Sequence, residues 1–389
     1  MLEICNHTQC TGCGACVITC PKNAVSLKKG RLGALCSSVD AEKCIDCGLC
    51  TKVCPVTSPV ALKKPRTSYA SYAYSSQERT TSSSGGAAAV LTKHVIKKGG
   101  VVYGCAMQSG MKIGHIRVDN PADATLLKGS KYVYTSIDKV LPYIKEDVKA
   151  GHNVLFVGLP CQVAAVINVI GVSDNLITID MCCHGAPSQS VLSEHLAYLG
   201  WPNADKVLFR KKLSSGIEYA FTIYDKQGKC TYDHLAQNDY YMTGFLNGLL
   251  LRESCFNCKF ARPERCADLT LADHWAIGMS DDPEMVISKG ISTVLVNTEK
   301  GARLFSQAQS LLVYEERPMP ESLRNGQFIA PTSKPEDYDQ FVQCYQKEGY
   351  AKACDKYLPA LQRKMFVHKL KSRYYKSPIR QFLRKLLKK

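Results

Sequence analysis

Two segments of the sequence share the spacing Cys-x2-Cys-x2-Cys-x3-Cys-Pro, at residues 10–21 and 44–55. This spacing is typical of bacterial 4Fe–4S proteins, because the first three thiolates of a run can each bind a different iron of one cubane cluster. The fourth cysteine of each run is expected to bind the other cluster, which joins the two halves. The pattern therefore predicts one cluster on Cys10, Cys13, Cys16 and Cys54, and a second on Cys44, Cys47, Cys50 and Cys20.

Zinc is the alternative for cysteines this close together. A structural zinc site closes with four ligands, usually two separated pairs, and does not require a doubled run of four with proline after each. The cluster prediction is therefore favoured. Cys5 and Cys36 fall outside the pattern and are predicted to be bystanders, and the insert at residues 22–43 is predicted to form an added hairpin or loop.

Further cysteines lie outside these runs. Cys255 and Cys258 form another Cys-x2-Cys pair, and together with Cys161 and Cys183 they would supply four thiolates for a third cluster. A lone Cys-x2-Cys pair also suits zinc or dithiol redox chemistry. The nearest rivals as ligands are Cys182 and Cys266, and the spacing leaves the choice among them open.

The middle of the chain alternates between strand-like and helix-like stretches, which predicts an α/β domain. Strands are predicted at 101–107, 154–157, 176–181 and 291–296, and helices at 86–98, 137–150 and 162–170.

The Gly-Leu-Pro-Cys turn places Cys161 at a helix N-terminus, where the helix dipole favours a thiolate. Small hydroxyl and glycine residues before the helix at 86–98 suit either an anion or an ordinary cap. The Gly-x-Gly-x-x-Gly fingerprint is absent, so an ordinary Rossmann site is not predicted.

The segments SSSGG, GGVVYG, KGSKY, GLPCQ, CHGAPS and CFNCKF…DLTLADHW occur in this order along the chain. Because it contains these segments in this order, the sequence resembles the coenzyme F-420 hydrogenase/dehydrogenase beta-subunit family. The resemblance implies a domain that binds FAD beside a 4Fe–4S cluster, with an attached ferredoxin module. It implies cluster ligands at Cys161, Cys183, Cys255 and Cys258. It also implies a flavin site near Ser84, Gly85, Gly86, Lys128, Ser130, Lys131 and Tyr132.

The net charge of +16, from 50 Lys and Arg against 34 Asp and Glu, favours acidic partners. No zinc-finger spacing or aromatic RNA-binding motif accompanies it, so nucleic acid is not predicted. We expect an acidic redox partner, such as ferredoxin or an oxidoreductase subunit, and an anionic small-molecule substrate. The amino terminus shows no secretory signal, which predicts a cytoplasmic protein with metal-binding cysteines rather than disulfides.

The last residues, 379–389, combine an apolar face with five basic residues and predict a basic amphipathic helix. Such a helix suits peripheral contact with the inner face of a membrane or an acidic partner, and the alternatives are a helix packed on the protein's own core or a frayed, solvated end.

The predicted fold is an α+β ferredoxin-like iron–sulfur domain (1–60), a linker (61–81), a larger α/β flavin-binding domain (82–315) and a helical region with a basic tail (316–389). The predicted function is an iron–sulfur flavoprotein oxidoreductase. It would move electrons between a low-potential one-electron carrier and a two-electron substrate at FAD. The substrate would be coenzyme F-420 or a compound of polysaccharide biosynthesis. The alternative is a non-catalytic subunit that relays electrons to a partner enzyme.

Overall fold

The amino-terminal domain is small and contains two short helices and one hairpin. The computed structural model describes residues 3–213 and 218–376 of the chain. The elements of this domain are α1 (Ala15–Thr19), β1 (Val25–Lys29), β2 (Leu35–Val39) and α2 (Leu49–Lys52). Strands β1 and β2 pair antiparallel, which confirms the hairpin predicted between the two cysteine runs.

The larger domain alternates strands and helices, as predicted. Its elements are β3 (Thr67–Ala73), α3 (Ser76–Thr80), α4 (Ala87–Lys97), β4 (Val101–Gln108), β5 (Lys112–Val118), α5 (Leu141–Lys149), β6 (Val154–Gly158), α6 (Pro160–Ile170), β7 (Leu176–Met181), α7 (Gln189–Tyr198), β8 (Lys206–Lys212), β9 (Tyr219–Tyr224), β10 (Cys230–Leu235), α8 (Tyr240–Leu246), α9 (Glu253–Phe256), β11 (Leu269–Asp273), β12 (Ser292–Val296), α10 (Glu299–Ala308) and β13 (Leu312–Glu316). The four predicted strands and three predicted helices are all present.

Eight of these strands form one mixed sheet in the order β13-β3-β12-β11-β7-β6-β4-β5. Its centre is parallel, because β4 pairs with β6, β6 with β7, and β7 with β11 in the same direction. One face carries α4 and α10 over a core of aliphatic side chains, and the other face carries α5 and α6. The loops that leave the carboxyl ends of β6 and β7 therefore emerge side by side, which is where α/β sheets build their sites.

The residues predicted as a linker, 61–81, include a strand of this sheet. Strand β3 lies between β12 and β13 and pairs antiparallel with both. Its sequence, TSYASYA, has small and hydroxyl residues at buried positions, so it lacks the continuous apolar run of most buried strands. The large sheet therefore starts before the predicted boundary at residue 82.

A second, three-stranded antiparallel sheet has the order β10-β9-β8. It shares a large aromatic core with α7, α8 and three helices that follow β13. The helices after β13 are α11 (Met319–Ser322), α12 (Tyr338–Glu348), α13 (Tyr350–Tyr357) and α14 (Pro359–Lys376), of which α11 packs instead on a smaller core near β12. The predicted helical region at 316–389 is thus helical over much of its described part, and the predicted amphipathic tail at 379–389 lies outside the described residues. No helix in the described ranges is both long and apolar enough to cross a membrane.

The amino-terminal domain packs directly on the larger domain. Cys13 and Ala15 belong to the same core as α5 and α6. A side chain at Gly14 would place its Cβ 2.6 Å from the Cβ of Asp138, and one at Gly33 would place its Cβ 2.6 Å from the Cβ of Ser190. Both glycines are therefore needed for the close approach of the two domains.

Candidate functional site

Each cysteine run turns into a helix at a glycine with left-handed backbone. Gly14 precedes α1 with φ 85°, and Gly48 precedes α2 with φ 70°. Residues other than glycine rarely adopt this conformation. The turn brings the third cysteine of each run, Cys16 or Cys50, back onto the first helical turn beside the cysteines that precede the glycine.

The structure brings the eight cysteines of the two runs into the two groups that the spacing predicts. The thiols that act most strongly on Cys16 are those of Cys13, Cys10 and Cys54, followed by Cys50 of the second run. A separate cavity of the domain is lined by Cys20, Cys44, Cys47 and Cys50. We call these the inner group (Cys10, Cys13, Cys16, Cys54) and the outer group (Cys20, Cys44, Cys47, Cys50).

The two groups differ in depth. All four cysteines of the inner group are buried, whereas Cys47 of the outer group is exposed. Burial raises the pKa of the Cys13 thiol to about 11. Thiols of this kind carry negative charge together only when a metal compensates it, which fits a cluster. The bystander Cys5 also lies here, with its thiol close to those of Cys10 and Cys54.

The structure also brings together the four cysteines that the resemblance implies as ligands of a third cluster. Cys161 is the second residue of α6, after β6, and Cys183 follows the neighbouring parallel strand β7. Cys255 lies in α9, and Cys258 follows that helix. All four line one cavity. We call them the third group.

The thiols of the third group influence one another. Burial raises the pKa of Cys161 well above its ordinary value, and the nearby thiols of Cys258, Cys183 and Cys255 raise it further. The sequence predicted a thiolate at Cys161 from its place at a helix N-terminus. The position is confirmed, and burial and three neighbouring thiols act there against the ionised form.

The two rival cysteines point elsewhere. Cys266 Sγ lies 3.5 Å from Pro160 O, to which it donates a hydrogen bond, and Cys182 packs against a different core, near β12. Neither thiol lines the cavity of the third group. The geometry thus separates residues that spacing alone left equivalent.

A buried ion pair supports the loop that carries Cys258. Arg265 Nη2 lies 3.0 Å from Asp180 Oδ2, and both side chains are nearly inaccessible. The same guanidinium donates to the backbone oxygens of Phe260 and Arg262, so it fixes the chain directly after Cys258. Nothing in the sequence patterns singled out this pair.

The cavity of the third group reaches the amino-terminal domain. Thr11, which lies inside the first cysteine run, lines the cavity together with Tyr134 and Arg252. Arg252 Nη2 donates to Leu35 O at 2.6 Å and to Cys10 O at 3.3 Å. The inner group and the third group are therefore separated by a wall that includes Arg252 and Tyr134, two residues that the sequence analysis missed.

The residues predicted to bind flavin come from two segments that meet beside α4. The Ser130 N–H donates to Ser83 Oγ at 2.9 Å, and Lys128 Nζ donates to Thr81 Oγ1 at 2.6 Å. Helix α4 begins after Gly86, which has φ 98°, and no side chain caps it. A helix start of this kind can bind an anion through its free N–H groups. The predicted residues are Ser84, Gly85, Gly86, Lys128, Ser130, Lys131 and Tyr132.

Several of these residues also have partners within the protein. Lys128 forms an ion pair with Glu78. Lys131 Nζ donates to three backbone oxygens, those of residues 126, 127 and 128. A Cβ on Gly85 would lie 2.4 Å from Ser71 O, so this glycine is required by strand packing whether or not a ligand binds.

Basic residues that the sequence analysis missed surround this region. Lys212 Nζ donates to Ser84 O at 2.7 Å. Its pKa is lowered to about 8 by burial and by the nearby charges of Arg210 and Arg79. Arg210 also stacks near the half-exposed ring of Trp275, 5.0 Å from its centre. Clustered cations that repel one another fit a site for a phosphate-bearing ligand.

Tyr132 connects this region with the third group. Its ring stacks on Phe245 with the ring centres 4.8 Å apart. His184, the residue after Cys183, approaches the backbone oxygen of Phe245 at 3.2 Å through Nε2. Within the described residues, no three His, Cys, Asp or Glu side chains converge as the ligands of a single metal ion.

Residues 151–322 match the family described as the carboxyl terminus of the beta subunit of coenzyme F420 hydrogenase/dehydrogenase. The chain contains a domain of this family. All four cysteines of the third group lie within this beta-subunit domain. Residues 9–58 match the 4Fe-4S dicluster domain, which covers both cysteine runs. The resemblance predicted from the sequence is confirmed: the chain combines a 4Fe-4S dicluster domain with a domain of an oxidoreductase beta-subunit family.

One similar solved structure is the F420-reducing [NiFe] hydrogenase complex from Methanosarcina barkeri, studied by xenon derivatization. One polypeptide of that complex is 17% identical, and the alignment covers 76% of this chain and 92% of that one, with a TM-score of 0.44. A likeness this weak carries no argument about the chemistry of the present protein. No curated protein matches the chain.

Proposed function

We propose that the protein is an iron–sulfur flavoprotein oxidoreductase. It would carry electrons between a low-potential one-electron carrier and a two-electron substrate. The observation that carries this proposal is the convergence of Cys161, Cys183, Cys255 and Cys258 on one cavity that also touches the ferredoxin-type domain. A cubane cluster distributes its four thiolates over four irons, so its ligands need not converge on one point as zinc ligands do.

The order of the groups supports a path for single electrons. The outer group lies at the surface, the inner group is buried, and the third group lies beyond the wall that contains Arg252. The third group adjoins the predicted flavin region through His184, Phe245 and Tyr132. FAD, when bound, would exchange electron pairs with the substrate and single electrons with the clusters.

The chain's own residues would bind and orient the flavin. The uncapped start of α4 would hold its phosphates through its free N–H groups. The charges of Lys212 and Arg210 would attract the phosphates from nearby, because Lys212 already donates to three backbone oxygens and Arg210 is paired with Asp273. The net charge of +16 favours an acidic protein partner and an anionic substrate. Candidate substrates are coenzyme F-420 and a compound of polysaccharide biosynthesis. Turnover of the purified chain with each of these, using reduced ferredoxin as the one-electron carrier, would discriminate between them.

A relay subunit without flavin is the second candidate. It is favoured by the engagement of Lys131 with three backbone oxygens, which leaves this cation without a proton to donate to a phosphate. Flavin content separates the two functions. Anaerobically purified protein should release one FAD on heating, whereas full clusters without any uptake of FAD or FMN would leave only the relay.

The location of the flavin site can be tested with two lysines that pair with the same carboxylate. Lys128 and Lys93 both form ion pairs with Glu78. Lys128→Met should lower the flavin content, because this cation belongs to the predicted site. Lys93→Met removes the other cation of Glu78 and should leave the flavin content unchanged. Equal flavin in both variants would move the site away from Lys128.

The third cluster is tested by metal analysis of cysteine variants. Three 4Fe–4S clusters require about twelve iron and twelve sulfide per chain. Cys255→Ser should lose roughly four irons and leave the two clusters of the ferredoxin-type domain. Cys266→Ser should lose none, because its thiol points toward Pro160 O. Stoichiometric zinc, or loss of iron in Cys266→Ser but not in Cys255→Ser, would contradict the assignment.

A further inference from the structure

Arg252 is a buried arginine in the wall between the inner group and the third group. Its side chain is only 5% exposed, and its guanidinium lies 4.3 Å above the ring of Tyr134. Nη2 donates to the backbone oxygens of Leu35 and Cys10. The residue immediately precedes α9, the helix that carries Cys255. It therefore contacts both domains.

The charge of this arginine lacks an acidic partner. No Asp or Glu in residues 3–213 and 218–376 forms an ion pair with it, and its Nε and Nη1 atoms are buried without a hydrogen-bond partner. A buried charge is costly unless an opposite charge compensates it. The groups that act electrostatically on Arg252 are Tyr134, Cys255, Cys36 and Cys10.

These neighbours indicate which anions compensate the arginine. Cys10 belongs to the inner group and Cys255 to the third group, and cysteines bind iron as thiolates. A cluster with four thiolate ligands is anionic, and it gains a further negative charge on reduction. Each of the two groups would therefore bring such an anion close to Arg252, whose Nε and Nη1 have no hydrogen-bond partner.

We propose that Arg252 is the shared counter-cation of two clusters, one on the inner group and one on the third group, and that it raises the reduction potential of both. The inference rests on the third cluster of the proposed function. A fixed positive charge in a buried site stabilises the reduced, more negative form of each cluster. In the step that it assists, one electron leaves one cluster and enters the other, and no bond forms or breaks. The electron comes from an external low-potential one-electron carrier.

The experiment compares Arg252→Gln with Arg252→Lys. Gln keeps polar atoms but removes the charge, whereas Lys keeps the charge and changes the shape. Anaerobic redox titrations followed by EPR would give the potentials of all three clusters. In the Gln variant, two of the potentials should shift to more negative values. In the Lys variant they should stay near those of the wild type. The cluster of the outer group should be unchanged in both and serves as the internal control.

The outcomes separate this inference from the proposed function. A wild-type chain with roughly eight irons would overturn both, because the third cluster would be missing. Roughly twelve irons and unchanged potentials in Arg252→Gln would overturn the inference alone. If Arg252→Gln loses iron, its potentials cannot be compared and Arg252→Lys is used instead. Arg252→Lys with all of its iron and with potentials near those of the wild type would then support the inference. Loss of iron or shifted potentials in Arg252→Lys would overturn it.

Discussion

Removing the cation of the Arg265–Asp180 pair should destabilise the larger domain strongly. Asp180 is fully buried, and burial raises its pKa while the charge of Arg265 opposes that rise. Its second oxygen, Oδ1, already lacks a hydrogen-bond partner. Arg265→Met keeps most of the side-chain volume but leaves this carboxylate without its counter-charge. Three further hydrogen bonds of the guanidinium, to Phe260, Arg262 and Thr270, are lost as well.

Breaking one partner of a buried ion pair costs about 3–5 kcal/mol, whereas replacing both partners with apolar groups is often nearly neutral. For a domain of this size, each kcal/mol lowers Tm by roughly 2–4 °C. Arg265→Met should therefore lower Tm by on the order of 10 °C. The double variant Asp180→Leu/Arg265→Met should recover much of that loss, because no unpaired charge remains. The exposed pair Arg66–Glu299 offers the control. Arg66→Met should cost under about 1 kcal/mol.

Differential scanning calorimetry of the anaerobic protein would measure all three variants. Iron analysis in the same samples would report whether the chain after Cys258 still supports metal binding. Equal Tm values for Arg265→Met and the double variant would refute the reasoning, since they would mean that the unpaired carboxylate costs nothing. The reasoning would also be refuted if Arg66→Met lowered Tm as much as Arg265→Met does.

Two further predictions concern backbone strain and pH. Gly14→Ala should lower Tm more than Gly48→Ala. Both positions carry the cost of left-handed backbone, about 1–2 kcal/mol, but only Gly14 would also place a Cβ 2.6 Å from Asp138. Equal decreases in Tm for the two variants would contradict the close packing of Gly14 against Asp138 in the larger domain. Burial lowers the pKa of His115 to about 3, whereas the unfolded chain takes up this proton near pH 6.5. Stability should therefore fall below pH 6.5 by up to about 1.4 kcal/mol per pH unit, and Tm measured from pH 7.5 to 5.5 should depend less on pH in His115→Gln.

Local spacing was enough to predict the grouping in the ferredoxin-type domain. In each cysteine run, a glycine only two residues before the third cysteine turns the chain into a helix. Cys16 and Cys50 are therefore brought beside the other cysteines of their groups by turns that are visible in the local sequence. The alternation of strands and helices in the larger domain was equally visible, because apolar runs such as that of β6 are interrupted by turn residues.

Long-range packing was not visible in the sequence. Strand β3 has small residues at its buried positions, and only its two neighbouring strands make it part of a sheet. Arg252 and Tyr134 are far apart in the chain, and their contact depends on how two domains dock. Gly85 suggested a ligand contact from sequence, while the structure shows strand backbone against it. Such features depend on tertiary contacts that no local pattern records.

The unequal depth of the two groups in the ferredoxin-type domain has a consequence for the sensitivity of their clusters to oxygen. Dissolved oxygen reaches the exposed Cys47 before it reaches the buried thiols of the inner group. Damage should thus begin at the outermost cluster and proceed inward. The four cysteines of the inner group would still be shielded, but the proposed electron path would then lack the cluster nearest the surface. The cluster of the outer group should therefore be the first that oxygen destroys, before the cluster of the inner group.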